Sequence, residues 1–134
     1  MSGRSERGGK VPVGNATGRP YSPALLAGPY AFVSGQVGTD PATGHLAGPD
    51  IEGQTDQALK NIAALLAQAG LTLNDVVKAT VFMTDMAEFA RMNEVYRSHF
   101  QEPMPTRSAV EVSCLARPEL KVEIEAIALR GEDA

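Results

Sequence analysis
The spacing of apolar positions divides this chain into strands and helices. Residues 105–112 and 121–128 each alternate with period two, which predicts two strands. In the first, Thr106, Ser108, Val110 and Val112 share one face, and Arg107, Ala109, Glu111 and Ser113 share the other. In the second, Val122, Ile124, Ala126 and Ala128 oppose Glu123, Glu125 and Ile127. The short connection through Ala116-Arg117-Pro118-Glu119 predicts that the two pair as a hairpin, holding an arginine and a carboxylate in a fixed relation. Residues 30–37 and 76–83 read as two further strands. Ser34-Gly35 interrupts the earlier one, and a glycine there marks a bulge, a kink or a place where a ligand approaches the backbone.

Helical spacing appears twice. Ile51, Gln54, Ala58, Leu59, Ile62, Leu65, Leu66 and Ala69 form one stripe between a capping Asp50 and a terminating Gly70. Asp85-Met86-Ala87-Glu88 reads as a capping box that starts a second helix with Phe89, Met92, Tyr96 and Phe100 on its apolar face. Asn93 lies at the margin of that face. Glu102-Pro103 ends the helix. The order predicts an α+β fold in which two helices pack on one face of a single sheet.

Residues 1–16 are polar and glycine-rich and read as a flexible tail ahead of one domain, 17–134. The net charge of −4 counts against nonspecific nucleic-acid binding, which needs a basic surface. No apolar run reaches membrane length and no signal-peptide core is present, so a cytoplasmic protein with no membrane partner is expected. The single cysteine, Cys114, suits a reducing cytosol and reads as a small core residue.

Several chemistries lack their residues. There is no phosphate-binding glycine loop, no zinc ligand set among two histidines and one cysteine, and no nucleophile elbow. No metal or organic cofactor is expected. What remains is anion recognition by Arg107, whose guanidinium matches a carboxylate through two parallel bonds, with acid–base help from a neighbouring carboxylate. Spacing alone favours Arg107 as a solvated edge charge and Glu123 and Glu125 as outward strand positions. Tyr21, between Pro20 and Pro23, is a packing residue or a site residue.

Ordered motifs then add up. Pro20-Tyr21-Ser22, Phe32-Val33-Ser34-Gly35-Gln36-Val37, Asp40-Pro41-Ala42-Thr43-Gly44, Gln54 to Asn61, Asn93-Glu94-Val95-Tyr96, Pro105-Thr106-Arg107-Ser108 and Val122-Glu123-Ile124-Glu125-Ala126 stand at compatible spacing. Over roughly residues 18 to 130 the chain resembles the RidA (YjgF, L-PSP endoribonuclease-like) family. The resemblance implies a chorismate-mutase-like fold, a mixed sheet of about six strands, and a homotrimer with sites between subunits. It implies hydrolysis of small anionic enamines and imines, such as 2-aminoacrylate and 2-iminobutanoate, to 2-oxo acids and ammonia. Arg107 would bind the substrate carboxylate and Glu123 would position water. Tyr21 and Asn93 would shape the cleft, with Ser34, Gly35 and the Ala109 carbonyl against the ligand.

Two positions depart from the family pattern. Gly-Pro-Tyr-Ser-Gln reads Arg19-Pro20-Tyr21-Ser22-Pro23 here, so Arg19 either faces solvent or adds a second cation that favours a larger or dianionic substrate. A frequent cysteine is Ala109, which removes thiol chemistry at that position. The alternative on the same residues is a non-catalytic binder of small carboxylates. A ribonuclease or translation inhibitor is disfavoured by the acidic charge balance.

Overall fold
Asp50 starts the first helix by accepting the Gly53 N–H at 3.0 Å, which satisfies a donor that the first turn leaves unpaired. Gly70 ends it with φ 76°, letting the Leu71 N–H reach back to the Leu66 carbonyl at 2.9 Å. In the computed structural model, which describes residues 9–131, this helix is α1 (Ile51–Ala67). It follows β1 (Val11–Val13), β2 (Ala24–Ala27) and β3 (Tyr30–Val37), and precedes β4 (Val76–Met83), α2 (Phe89–Ser98), β5 (Thr106–Glu111) and β6 (Val122–Leu129). The predicted stripe is the buried one: Ile51, Gln54, Ala58, Leu59, Ile62 and Leu66 all face the core.

The six strands form one mixed sheet in the order β1-β2-β3-β6-β4-β5. β6 runs antiparallel to both β3 and β4 and lies between them, while β5 runs parallel to β4 at the edge. Both helices cover one face. Met92, Tyr96 and Phe100 of the α2 region join the α1 stripe and the buried Val122, Ile124, Ala126 and Ala128 of β6 in a single core.

This order overturns the expected hairpin, because β4 separates β5 from β6. Period-two patterning identifies a strand but carries no information about its neighbour. The α2 apolar face must be buried, and a crossover through α2 sets β5 beside β4 in parallel. The loop from Val112 to Lys121 then has ample length to step across one strand, about 10 Å.

Three smaller expectations are also corrected. Val11–Val13, inside the segment read as a tail, pairs with β2 and extends the sheet; residues 1–8 of that segment lie outside the described residues. Asp85 caps only the 3-10 turn Met86–Glu88, accepting the Ala87 N–H at 2.9 Å. Glu88 closes no capping box and pairs instead with Lys121 at 3.4 Å and Arg91 at 3.7 Å. Cys114 is exposed, because it sits in the loop that crosses from β5 to β6 rather than on a core strand.

Gln54 ties that loop to α1. Fully buried, it donates to the Gly48 and Glu119 carbonyls at 3.2 and 3.1 Å and accepts the Lys121 N–H at 2.8 Å. The start of β6, the strand that carries Glu123, is thereby tied to the helix through its backbone. Gly38 makes the approach possible, since a Cβ there would lie 2.6 Å from Gln54 Cα and 2.8 Å from its carbonyl oxygen. Gly38→Ala is expected to destabilise the fold by about 1–3 kcal/mol through overpacking. Urea unfolding should show a lower midpoint at unchanged slope, and an unshifted midpoint would refute this role of Gly38.

Candidate active site
Strand register decides which site residues can meet. Residues directly opposite in a ladder point to the same face. Ala79 of β4 lies opposite both Arg107 and Ala126, and Ala79 and Ala126 are buried beneath the helices. Arg107 therefore projects on the helix face. Phe82 lies opposite both Val110 and Glu123, so Glu123 projects on the open face. One chain holds the two predicted catalytic residues on opposite faces of its sheet.

On the helix side, the Arg107 Nη1 donates to Asn93 Oδ1 at 2.6 Å. The guanidinium carbon lies 4.8 Å from the Tyr96 ring centroid and 5.5 Å from that of Phe89. Phe89, Asn93 and Tyr96 stand four and three residues apart on α2, so they occupy one helix face. Cation–π attraction and the amide bond together fix an otherwise flexible side chain. Among the described residues no carboxylate pairs with Arg107. Its hydrogen-bond partner is a neutral amide, so the positive charge stays available to an anion. A pocket of about 270 Å³ opens here, with Asn93, Tyr96, Met104 and Arg107 in its wall. Burial raises the Tyr96 phenol pKa, and the Arg107 charge acts against that rise. Ala109 follows Arg107 by two residues on the same face and packs against the core.

The other half is built from β3, β6 and the segment before β2. Ser34 and Gly35 form a bulge: Val33 pairs with Ala126 and Gln36 with Ile124, leaving two residues against Glu125 alone. The bulge brings Gly35 against the Glu123 side chain. A Cβ on Gly35 would overlap the carboxylate oxygen and lie 2.8 and 2.9 Å from Glu123 Cδ and Cγ. The absent side chain is the space that Glu123 fills. Ser34 pins the neighbouring loop, its Oγ donating to the Ser22 carbonyl at 2.7 Å and its N–H to the Pro23 carbonyl at 2.9 Å. Tyr21 on that loop is 52% exposed and presents its ring to the surface. Burial, followed by the nearby Glu125 charge, raises the Glu123 carboxyl above the ordinary glutamate value.

The seven predicted site residues thus form two groups. Arg107 and Asn93 touch, with Ala109 along the same strand. Tyr21, Ser34, Gly35 and Glu123 cluster around the bulge. Phe89 and Tyr96 were legible in sequence only as apolar helix positions, and their role as a platform for Arg107 was missed. The available signal was an asparagine set between two aromatics at helical spacing. Gln54 was likewise read as a stripe member, although a glutamine in an otherwise apolar stripe implies buried partners.

Among the described residues no group of three or more His, Cys, Asp or Glu side chains is placed to hold a metal ion. No helix among them is long and apolar enough to cross a membrane.

The chain matches known proteins over nearly this whole unit. A sequence model described as Endoribonuclease L-PSP matches residues 14–130. A RutC family protein of Pyrococcus horikoshii is 52% identical over 111 residues, covering 83% of this chain and 87% of that protein. The 2-iminobutanoate/2-iminopropanoate deaminase of Mus musculus is 44% identical over 112 residues, covering 84% and 82%. The crystal structure of E. coli TdcF with bound serine superposes with TM-score 0.78 at 38% identity, covering 94% of this chain and 95% of that one. With the family's sequence model spanning β2 to β6, and relatives at 52% and 44% identity over more than four fifths of the chain, the chain belongs to the endoribonuclease L-PSP family, also called RidA/YjgF.

Proposed function
We propose that the protein hydrolyses 2-imino acids and their enamine tautomers, 2-iminobutanoate and 2-aminoacrylate among them, to 2-oxo acids and ammonia. The observation that carries this reading is the fixed Arg107 guanidinium, which pairs with no carboxylate among the described residues and so can receive a small one. Similarity to a mammalian deaminase and to a protein that binds serine supports a small amino-acid-derived anion as its ligand.

Arg107 anchors the substrate carboxylate. Glu123, as a base strengthened by its raised pKa, takes a proton from water as that water attacks the imine carbon. The proton passes to nitrogen and leaves a carbinolamine; its hydroxyl proton then moves to nitrogen as the C–N bond breaks and the C=O bond forms, releasing ammonia and the 2-oxo acid. An imine carbon is already electrophilic, so holding substrate and water in place supplies most of the assistance. Neither metal nor organic cofactor enters these steps.

The site is completed between chains, in a chorismate-mutase-like homotrimer: the Glu123 half of one subunit meets the Arg107 half of the next. Two features support this. Arg107 and Glu123 cannot meet within one chain, and the open sheet face exposes Tyr30, Phe32, Val110 and Leu129 to between 40% and 45%. Apolar exposure of that kind is normally covered by a partner. The setting is cytoplasmic, where pyridoxal-phosphate dehydratases release such imines.

The test generates the imines in place with a serine/threonine dehydratase, traps them with semicarbazide and follows the oxo acid. Wild-type protein should speed oxo-acid release and lower the semicarbazone yield. Arg107→Ala should lose about 10- to 150-fold in kcat/KM, the equivalent of a charge-assisted bond of ~1.5–3 kcal/mol. Carboxylate binding that depends on Arg107 without any turnover would instead establish the binding-protein alternative.

A further inference from the structure
Two arginines far apart in sequence, Arg19 and Arg117, line one cavity of about 470 Å³. It lies between α1, the end of β3 and the segment that leads into β2. Tyr21 and Gly35, both in the Glu123 half of the site, line it as well. Among the described residues no Asp, Glu or Lys lines it, in a chain whose net charge is −4. Cations gathered in a recess with protein walls focus a positive potential there, against the sign of the molecule as a whole.

The Arg117 guanidinium is held by side-chain bonds, whereas Arg19 is exposed and is placed at the rim by its backbone turn. Gly18 takes φ 75°, and the turn it forms closes with the Arg19 N–H on the Ala16 carbonyl at 3.0 Å. The Arg19 guanidinium carbon then lies 5.9 Å from the Tyr21 ring centroid. Arg117 Nη2 donates to Thr39 Oγ1 at 3.1 Å, and its Nε lies 3.3 Å from Glu119. That exposed pair neutralises Arg117 in part. Arg19 makes no ion pair among the described residues. The back wall is firm, because the Asn61 amide bonds the Val37 and Thr39 carbonyls at 3.0 and 2.9 Å and fastens α1 to the end of β3.

We infer that this cavity receives the substrate side chain, and that Arg19, assisted by Arg117, selects 2-imino acids whose side chain ends in a carboxylate. The inference rests on the hydrolase reading above. Arg107 takes the carboxylate beside the imine carbon, Glu123 takes the water, and the far carboxylate meets Arg19 across the Tyr21–Gly35 wall. The overall reaction is balanced: a dianionic imine and one water give a 2-oxo diacid and ammonia, with no redox partner.

The test compares two imines made in place by flavin oxidases in the presence of catalase, 2-iminosuccinate from D-aspartate and 2-iminopropanoate from D-alanine. Oxaloacetate and pyruvate are followed by their dehydrogenases, and rates are taken above spontaneous hydrolysis. Wild type should favour 2-iminosuccinate in kcat/KM. Arg19→Ala should cut that preference about tenfold or more while 2-iminopropanoate hydrolysis stays near wild type, as expected for a single lost charge-assisted contact. Arg19→Glu should reverse it. Turnover of both imines with a ratio that ignores the Arg19 variants would overturn this assignment and leave the hydrolase reading standing. Failure to accelerate either imine would overturn the hydrolase reading, and this inference with it.

Discussion

Arg107→Ala and Glu123→Gln subunits, each strongly impaired alone, should recover activity when they are unfolded together at equal amounts and reassembled. The reason is geometric. Ala79 sets Arg107 on the helix face and Phe82 sets Glu123 on the open face, so the proposed site takes one residue from each of two chains. A site works only where an intact Arg107 from a Glu123→Gln subunit meets an intact Glu123 from an Arg107→Ala subunit. Random assembly in a closed ring satisfies both requirements in about one quarter of sites. The recovered rate should therefore approach a quarter of wild type, read with 2-aminoacrylate, while the double variant mixed with either single variant recovers nothing further. Mixed oligomers seen by native mass spectrometry with no gain in rate would sink the inter-subunit site.

Glu123→Gln should remove most of the activity at neutral pH and also the acid limb of the pH profile. General-base assistance contributes about 10²- to 10⁴-fold, which sets the size of the loss. Burial raises the Glu123 pKa first, and the Glu125 charge raises it further. Wild-type kcat/KM should therefore fall, as pH decreases, at a pH above the ordinary glutamate value of 4.5. Glu125→Gln should move that limb to lower pH, because it removes the charge that opposes ionisation. The stability effect has the opposite sense to that of a salt-bridged carboxylate. A raised folded-state pKa means that the native state holds the proton more tightly than the unfolded chain does. Stability then falls as pH rises from 4.5 through the raised value, and stays lower above it. Glu123→Gln should match wild type in stability below that window and exceed it above. Urea unfolding at several pH values reads this directly, and equal stability of the two proteins across the whole range would contradict the shift.

Local signals in the sequence were accurate where the physics is local. Asp50 and Gly70 bound α1 because a cap and a left-handed stop act within one turn. The α1 stripe and the buried face of β6 follow from period, because an amphipathic element can bury one side only. The Ser34-Gly35 interruption was legible as an irregularity, and among the readings open to it the structure selects the bulge. The same patterning could not order the strands. It made β5 and β6 neighbours, whereas the burial of α2 puts β5 beside β4 and sends β6 to the centre of the sheet.

The division at the site follows the same line. Residue types and their motifs determined which groups the proposed mechanism draws on: a planar cation at 107, a carboxylate at 123, a glycine at 35. The tertiary structure alone decided that Gly35 makes room for Glu123, that Phe89, Asn93 and Tyr96 hold Arg107, and that Arg19 and Arg117 share one recess. It also decided that the cation and the carboxylate occupy opposite faces. Side-chain alternation tells how residues of one strand are divided. Which face of the sheet each half of that division meets depends on register with a neighbour, and that is fixed only when the whole core packs.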